Sequence, residues 1–96
     1  MFIMILRFSK NKDRAEKFRD GHKAWLKRGF DDGVFLLAGR IQPGLGGGLL
    51  AHYISLPDLQ TRVGEDPFVA DNVTGAEILE FNPAMADERL NFLIET

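Results

Sequence analysis

The first predicted β-strand, Phe2 to Phe8, is apolar on both of its faces. Because side chains alternate along a strand, one face carries Phe2, Met4, Leu6 and Phe8, and the other carries Ile3, Ile5 and Arg7. The segment Val34–Gly39, VFLLAG, predicts a second strand of the same kind. Strands that are apolar on both faces are typical of sheets that are buried on both sides. Whatever fold the chain adopts must therefore cover both faces of its sheet.

An amphipathic helix is predicted between these two strands. Residues of one stripe recur at spacings of three and four, which is the period of a helix with one buried face. The stripe consists of Ala15, Phe18, His22, Trp25, Leu26 and either Gly29 or Phe30. Asn11 is a candidate cap for the start of the helix, and Asp13 is a carboxylate suited to its first turn. Gly33 predicts the end of the helix.

Several shorter elements are predicted in the second half of the chain. Pro67 predicts a helical turn over residues 66–70, since proline is favoured at the first helical position. Residues 84–96 fit a strand or a helix equally well. The remaining segments are a glycine-rich loop over 40–48, a third strand over 49–54, a short helix over 58–63 and a fourth strand over 75–81.

The predicted order of elements, β-α-β-β-α-β, is that of the ferredoxin-like α+β fold. This fold has a four-stranded antiparallel sheet with two helices on one face. The helices leave the second apolar face of the sheet uncovered. Because large exposed apolar patches are rare on soluble monomers, we predict a homodimer that packs through this sheet face.

Length, charge and composition argue against several classes of partner. The chain of 96 residues predicts a single domain over residues 1–96, and its net charge of −2 argues against a nucleic-acid partner. It has no cysteine and two histidines far apart in sequence, which argues against a metal site. No signal peptide or membrane-spanning run is recognisable, so we predict a cytoplasmic protein that binds no membrane.

His22 is the most informative polar residue because it lies within the apolar stripe of the predicted helix, next to Trp25 and Leu26. It is either a core histidine bonded to a backbone carbonyl or a general acid or base, since imidazole titrates near neutral pH. Both interpretations stay open from the stripe alone.

The stretch Gly64-Glu65-Asp66-Pro67-Phe68-Val69 joins carboxylates and a proline to two apolar residues. Asp before Pro is a common turn, so Asp66 alone indicates little. If Phe68 and Val69 anchor the turn against the first helix, however, Asp66 is held near His22. A carboxylate so placed would orient the imidazole and stabilise its cation.

A binding site is predicted around this pair. The run Gly44-Leu45-Gly46-Gly47-Gly48 lacks the Gly-Lys-Ser/Thr ending of a phosphate loop and precedes a strand. We therefore predict no nucleotide and no cofactor there, but a flexible hairpin connection or a rim loop whose amides a ligand can approach. Arg40 is either a ligand for an anion or a solvated side chain. The predicted substrate-binding residues are Trp25, Gly39, Arg40, Gly47 and Phe68.

The chain resembles the YciI-like proteins, which are small dimeric α+β domains of the ferredoxin-like barrel group. The matching motifs follow in the same order along nearly the whole chain: GHKAWL around His22, FLLAGR, GLGGG, DPFV and ILEFNP. The resemblance implies a His-Asp pair in a cleft of each protomer, which falls on His22 and Asp66. The chain departs from the family at Arg40, where the family commonly has proline, and in lacking a hydroxyl over residues 48–52.

Three functions are compatible with these residues. The first is an enzyme that uses His22 and Asp66 for general acid/base chemistry, of lyase, isomerase, dehalogenase or hydrolase type, on a small anionic carbonyl or lactone compound. The relatives implied by the resemblance include a dehalogenase that acts on a chlorinated muconolactone. The second is a non-catalytic ligand-binding or accessory domain with the same cleft. The third is a structural dimer in which the pair only stabilises the turn.

Overall fold

The computed structural model describes residues 1–94, which form the predicted α+β architecture. The strands are β1 (Phe2–Phe8), β2 (Phe35–Ile41), β3 (Gly46–Ala51) and β4 (Thr74–Glu80). The helices are α1 (Ala15–Asp31), α2 (Leu56–Gly64) and the single turn α3 (Pro67–Ala70). Two 3-10 turns, Lys12–Arg14 and Glu88–Leu93, complete the secondary structure. Within the described residues no helix is long and apolar enough to cross a membrane.

The four strands form one antiparallel sheet in the order β2-β3-β1-β4, as the ferredoxin-like fold requires. β1 lies inside the sheet and pairs with β3 on one side and β4 on the other. Its Phe2, Met4 and Leu6 are buried against the helices. Trp25 of α1 and Leu59 and Val63 of α2 belong to the same core. The predicted fold class and element order are confirmed.

The face of the sheet that points away from this core carries an apolar row across all four strands. Ile3 pairs with Leu50 of β3 and with Leu79 of β4, and Leu50 in turn pairs with Leu37 of β2. At the two ends of the row, Leu37 is 61% exposed and Leu79 is 44% exposed. The second face is therefore apolar, as the alternation in the first strand predicts.

The loop within the glycine-rich segment is shorter than predicted. β2 continues to Ile41 and β3 begins at Gly46, so the connection is a tight hairpin and not a loop over residues 40–48. The predicted third strand over 49–54 is present but with shifted bounds, since β3 begins at Gly46 and ends at Ala51. Glycine has low strand propensity, but Gly46 and Gly47 pair with Arg7 and Leu6 of the central strand. Backbone pairing needs no side chains, and here it outweighs propensity.

The ends of the chain also differ from prediction. Asn11 precedes a 3-10 turn and makes no capping bond to it; its side-chain amide donates to the Asp71 carbonyl at 2.8 Å. The segment after residue 84 is neither a strand nor an α-helix. It contains the 3-10 turn Glu88–Leu93, at whose start the Asp87 carboxylate accepts the backbone N–H of Arg89. The last two positions of the predicted 84–96 segment lie outside the described residues.

Gly29 sets how closely α1 packs on the sheet. A Cβ atom at this position would lie 2.1 Å from the ring of Phe35 on β2. The glycine is buried, and its carbonyl accepts the backbone N–H of Val34 at 2.9 Å. A side chain at this point would therefore push the end of α1 away from β2.

Substituting Gly29→Ala should destabilise the protein by about 1–3 kcal/mol, since overpacking at a buried contact forces neighbouring groups to shift. The matched control is Gly64→Ala at the end of α2, where an added Cβ meets nothing within 4 Å. The control should change the free energy of unfolding by less than about 1 kcal/mol. Urea denaturation of both variants measures the difference, and equal stabilities would refute the role given to Gly29.

Candidate functional site

A cavity of about 620 Å³ lies between α1 and the glycine-rich ends of β2 and β3. One stripe of α1 contributes Ala15, Arg19, His22, Lys23 and Leu26 to its wall. The opposite wall is the helix-facing side of the sheet, where Arg40, Gly47 and Leu6 form one row. Gly47 has no side chain, so space remains between the helix and the sheet at this end.

His22 and Asp66 form a hydrogen-bonded pair at the edge of this cavity. The imidazole Nδ1 lies 2.8 Å from Asp66 Oδ1, across 44 residues of sequence. The side chain of His22 is 18% exposed and that of Asp66 is fully buried. His22 lines the cavity, whereas Asp66 lies behind it. The buried member of the pair therefore holds the one that a ligand can reach.

The turn that carries Asp66 is held in place by its own hydrogen bonds. Asp66 caps α3: its Oδ1 accepts the backbone N–H of Phe68 at 3.1 Å, and Pro67 occupies the first helical position. The Phe68 carbonyl accepts the N–H of Val73 at 2.9 Å. Val69 packs against the hydrophobic core. The apolar residues of DPFV thus anchor a turn that positions its carboxylate.

These bonds define the proton positions of the pair. The N–H of Phe68 can only donate, so Oδ1 accepts it and has a second lone pair for a further donor. We therefore assign the Nδ1–H tautomer to His22, with this proton donated to Asp66. The other ring nitrogen, Nε2, then keeps its lone pair. Such an arrangement is that of a histidine oriented for proton transfer.

Three cationic side chains surround the cavity: Arg19 and Lys23 on α1, and Arg40 on β2. Arg19 also contacts Glu16 at 3.0 Å, but this is a solvent-exposed pair and such pairs contribute little. Among residues 1–94, no aspartate or glutamate lines the cavity wall. The cavity is thus positively charged within a chain whose net charge is −2.

The structure brings most of the predicted site residues together. His22, Gly39, Arg40, Gly47 and Phe68 all line the cavity, and Asp66 contacts His22 from behind. Trp25 lies elsewhere: it is buried in the core, where its indole N–H donates to the Arg62 carbonyl at 2.8 Å, and it does not line the cavity. Its ring centroid is 5.9 Å from that of His22.

Among the residues of the cavity wall that were not predicted as site residues are three polar ones that bear on its chemistry: Arg19, Lys23 and Thr74. Arg19 lies three positions before His22 on α1, and Lys23 lies four positions after Arg19, so helical spacing places Arg19 beside His22 and Lys23 beside Arg19. Thr74 begins β4 one residue before the predicted strand start, and its hydroxyl is buried with no partner among the described residues. It supplies a hydroxyl near the cavity from β4, whereas residues 48–52 of β3 carry none.

His52 lies at a different cavity, of about 420 Å³, which is lined by Met1, Tyr53, Glu80 and Asn82 among others. Its ring contacts that of Tyr53, with the centroids 3.9 Å apart and the planes tilted by 31°. The two histidines of the chain are thus separated in space as well as in sequence. In the described part of the chain, no three His, Cys, Asp or Glu side chains cluster as metal ligands would.

Comparison with solved structures identifies a protein of the same fold. A 5-chloro-2-hydroxyhydroquinone dehydrochlorinase, TftG, from Burkholderia phenoliruptrix, solved in complex with 2,5-dihydroxybenzoquinone, superposes with a TM-score of 0.68 at 15% sequence identity. The match covers 85% of this chain and 94% of that chain. The shared fold is shown. No family model matches the chain, and comparison with curated proteins gave no match, so membership of the YciI-like family stays a prediction.

The His22–Asp66 distance depends on a close approach of α3 to α1. A Cβ atom at Gly21 would lie 3.0 Å from Pro67 Cγ, one residue from each member of the pair. Substituting Gly21→Ala should therefore push the turn away and weaken the Nδ1–Oδ1 bond, although alanine favours the helix by about 1 kcal/mol. In ¹H–¹⁵N spectra the His22 Nδ1–H signal should weaken or exchange faster, while the Gly64→Ala control keeps it. An unchanged signal in Gly21→Ala would mean that the turn does not need this contact.

Proposed function

We propose that the protein is a small-molecule enzyme in which His22 moves a proton and Asp66 orients and stabilises the imidazole. The observation that carries this proposal is the pair itself: a fully buried carboxylate bonded to a histidine that lines a cavity of about 620 Å³. A histidine that lines a cavity and is hydrogen-bonded to an orienting carboxylate is the arrangement expected of a general acid or base. A purely structural pair would not need an adjoining cavity lined by cations.

In the proposed reaction, Nε2 of His22 accepts a proton from a carbon next to a carbonyl group. The electron pair of the broken C–H bond moves to the carbonyl oxygen, and the resulting imidazolium is stabilised by Asp66. The oxyanion is held by Arg40. Collapse of the enolate then expels a leaving group such as chloride, or His22 returns the proton to a different carbon in an isomerisation.

The charge distribution supports an anionic substrate. Arg19 and Lys23 on one wall face Arg40 on the other, and no acidic side chain within residues 1–94 lines the cavity beside them. Clefts lined by one sign of charge concentrate ligands of the opposite sign. Guanidinium groups suit ionised oxygens in particular because they offer planar, paired donors.

The structural comparison suggests which class of compounds to test first as ligands and substrates. TftG is a dehydrochlorinase and its structure contains 2,5-dihydroxybenzoquinone, a planar compound with carbonyl oxygens and acidic hydroxyl groups. We propose that this chain accepts a compound of that general kind, a small cyclic carbonyl compound with ionised oxygens. The dihydroxybenzoquinone is therefore a suitable binding probe, and chlorinated hydroxyhydroquinones and lactones are suitable substrates to screen.

The central test substitutes His22→Asn. The asparagine amide can still donate to Asp66, so the buried carboxylate keeps its partner and the melting temperature should change little. Turnover, followed as chloride release or loss of substrate absorbance, should fall about 10²- to 10⁴-fold with the general base removed. Asp66→Asn should lower turnover in the same direction, because the imidazole then adopts the wrong tautomer. A large loss of stability with an unchanged ligand response would discard the catalytic role.

Two further results of this experiment are informative. Arg40→Ala serves as a comparison, since it should weaken binding of anionic probes and leave neutral ones unaffected. A wild-type protein that binds the quinone saturably but converts none of the screened substrates would support the alternative, a non-catalytic binding or accessory domain that uses the same cleft.

We also propose that the protein is a homodimer that packs through the open face of its sheet. The support is the apolar row formed by Leu37, Leu50, Ile3 and Leu79, which runs across all four strands on the side without helices. Nothing within residues 1–94 buries the ends of this row, since Leu37 and Leu79 are 61% and 44% exposed. A second copy that presents the same row would bury both.

Light scattering after size exclusion at micromolar concentration should therefore give about twice the chain mass of 10.8 kDa. Leu37→Lys should shift the protein towards the monomer, because it places a charge within the apolar row of the proposed contact, at the β2 end. Met85→Lys is the control, since Met85 is 92% exposed and lies outside the apolar row. A wild-type monomer, or equal effects of the two lysines, would contradict this arrangement.

A further inference from the structure

Phe68 contacts both members of the catalytic pair, by two different parts of the residue. Its ring lies flat on the imidazole of His22, with the centroids 4.1 Å apart and the planes 5° from parallel. Its backbone N–H donates to Asp66 Oδ1, the same oxygen that contacts His22 Nδ1. One residue therefore touches the imidazole face and the carboxylate that binds the imidazole edge.

We infer that Phe68 is a positioning residue, which fixes the plane of the His22 imidazole through ring stacking. The inference deepens the proposed function, on which its catalytic meaning rests. The bond from Nδ1 to Asp66 fixes one point of the ring but leaves rotation about that contact. A flat aromatic face against the imidazole removes this rotation, because tilting the ring would bring it into the phenyl group.

The main chain of Phe68 is rigid enough for this purpose. Its N–H is bonded to Asp66 Oδ1 and its carbonyl to the N–H of Val73. Pro67 restricts the preceding backbone angle. With the backbone held at both ends, the ring has few ways to move away from His22. The stacking geometry is therefore built into the turn and does not depend on a ligand.

This role differs from the ligand contact predicted for Phe68 from the sequence. The ring lines the cavity, but one of its faces already covers the imidazole. Only the remaining face and edge are available to a ligand. The principal effect of Phe68 is on the direction of the His22 Nε2 lone pair, and reactions lose rate steeply when a catalytic group is misplaced by about 1 Å.

The test observes the imidazole directly and needs no substrate. In ¹⁵N-labelled protein, ¹H–¹⁵N spectra of the histidine rings report which nitrogen carries the proton. The chain has only two histidines, so a His52→Gln variant assigns the signals. Wild type should give a protected His22 Nδ1–H signal. Phe68→Leu keeps the backbone bond to Asp66 and removes the flat face, and it should lose that signal or show both tautomers.

Three variants complete the design. Phe68→Tyr preserves the ring face and should retain the wild-type signal. Phe68→Met, which is close to leucine in volume and unbranched, replaces Phe68→Leu if the latter melts below the measurement temperature. Val69→Ala is the matched control: it loosens the same turn at its core contact without touching His22.

Loss of the signal in Phe68→Leu or Phe68→Met, together with its retention in Phe68→Tyr and Val69→Ala, supports the positioning role. A retained signal in the leucine and methionine variants overturns it. Loss in Val69→Ala as well overturns it too, because Phe68 then acts only as an anchor of the turn. Failure of the proposed function would appear separately, as absence of turnover and ligand binding in a wild-type protein whose His22 signal is intact.

Discussion

The packing of the central strand β1 against the helices governs both the core and the cavity. Phe2, Met4 and Leu6 bury their side chains on the helix side of the sheet. Where the neighbouring strand β3 also carries side chains, at Leu49 and Ala51, the space below α1 is filled. Where β3 is glycine, the space remains open. The cavity is therefore the unfilled end of the same layer that forms the core.

One carboxylate oxygen hydrogen-bonds both to His22 on α1 and to the turn α3. Asp66 Oδ1 caps the one-turn helix α3 and also accepts the Nδ1–H of His22. Its partner oxygen Oδ2 is buried without a protein partner among the described residues. A buried carboxylate is costly unless it is well bonded, so the turn and the histidine stabilise each other's positions. The Asp66 carboxylate thus both stabilises the turn and belongs to the proposed catalytic pair.

The order of strands and helices could be predicted because each long element has a clear period, and β1 and α1 are the strongest cases. The His22–Asp66 contact could be predicted because a histidine interrupts an apolar stripe and because Asp-Pro-Phe-Val joins a carboxylate to its own anchors. The resemblance to the YciI-like proteins also implied that His22 and Asp66 form a pair. The extent of β3 could not be predicted from Gly46 and Gly47, since their strand conformation comes from pairing with β1 and not from local preference.

The cationic wall was missed for a different reason. Arg19 and Lys23 resemble any charged residues on the solvent side of a helix, and only the position of the β2–β3 hairpin turns that side into a cavity. For Trp25 the error is the reverse, because it was predicted to bind substrate but lies in the core. It is close to His22 along the helix, but the helical rotation of three residues directs it into the core, where Arg62 provides a carbonyl for its indole N–H.

The strand β3 has glycines where it lines the cavity, so a substitution there can change the cavity volume without a change of fold. At Gly46 an added methyl group would lie 1.9 Å from the Leu6 carbonyl oxygen, so the backbone there depends on glycine. At Gly47, between Arg40 and Leu6 on the floor, the nearest atom to an added methyl group is the Gly39 carbonyl oxygen at 3.3 Å. A side chain at Gly46 is thus excluded by the fold, whereas an alanine at Gly47 would require a shift of only a few tenths of an ångström at the Gly39 carbonyl. Divergent descendants of such a chain could acquire narrower specificity at residue 47 by single substitutions, with the His-Asp pair on the opposite wall left intact.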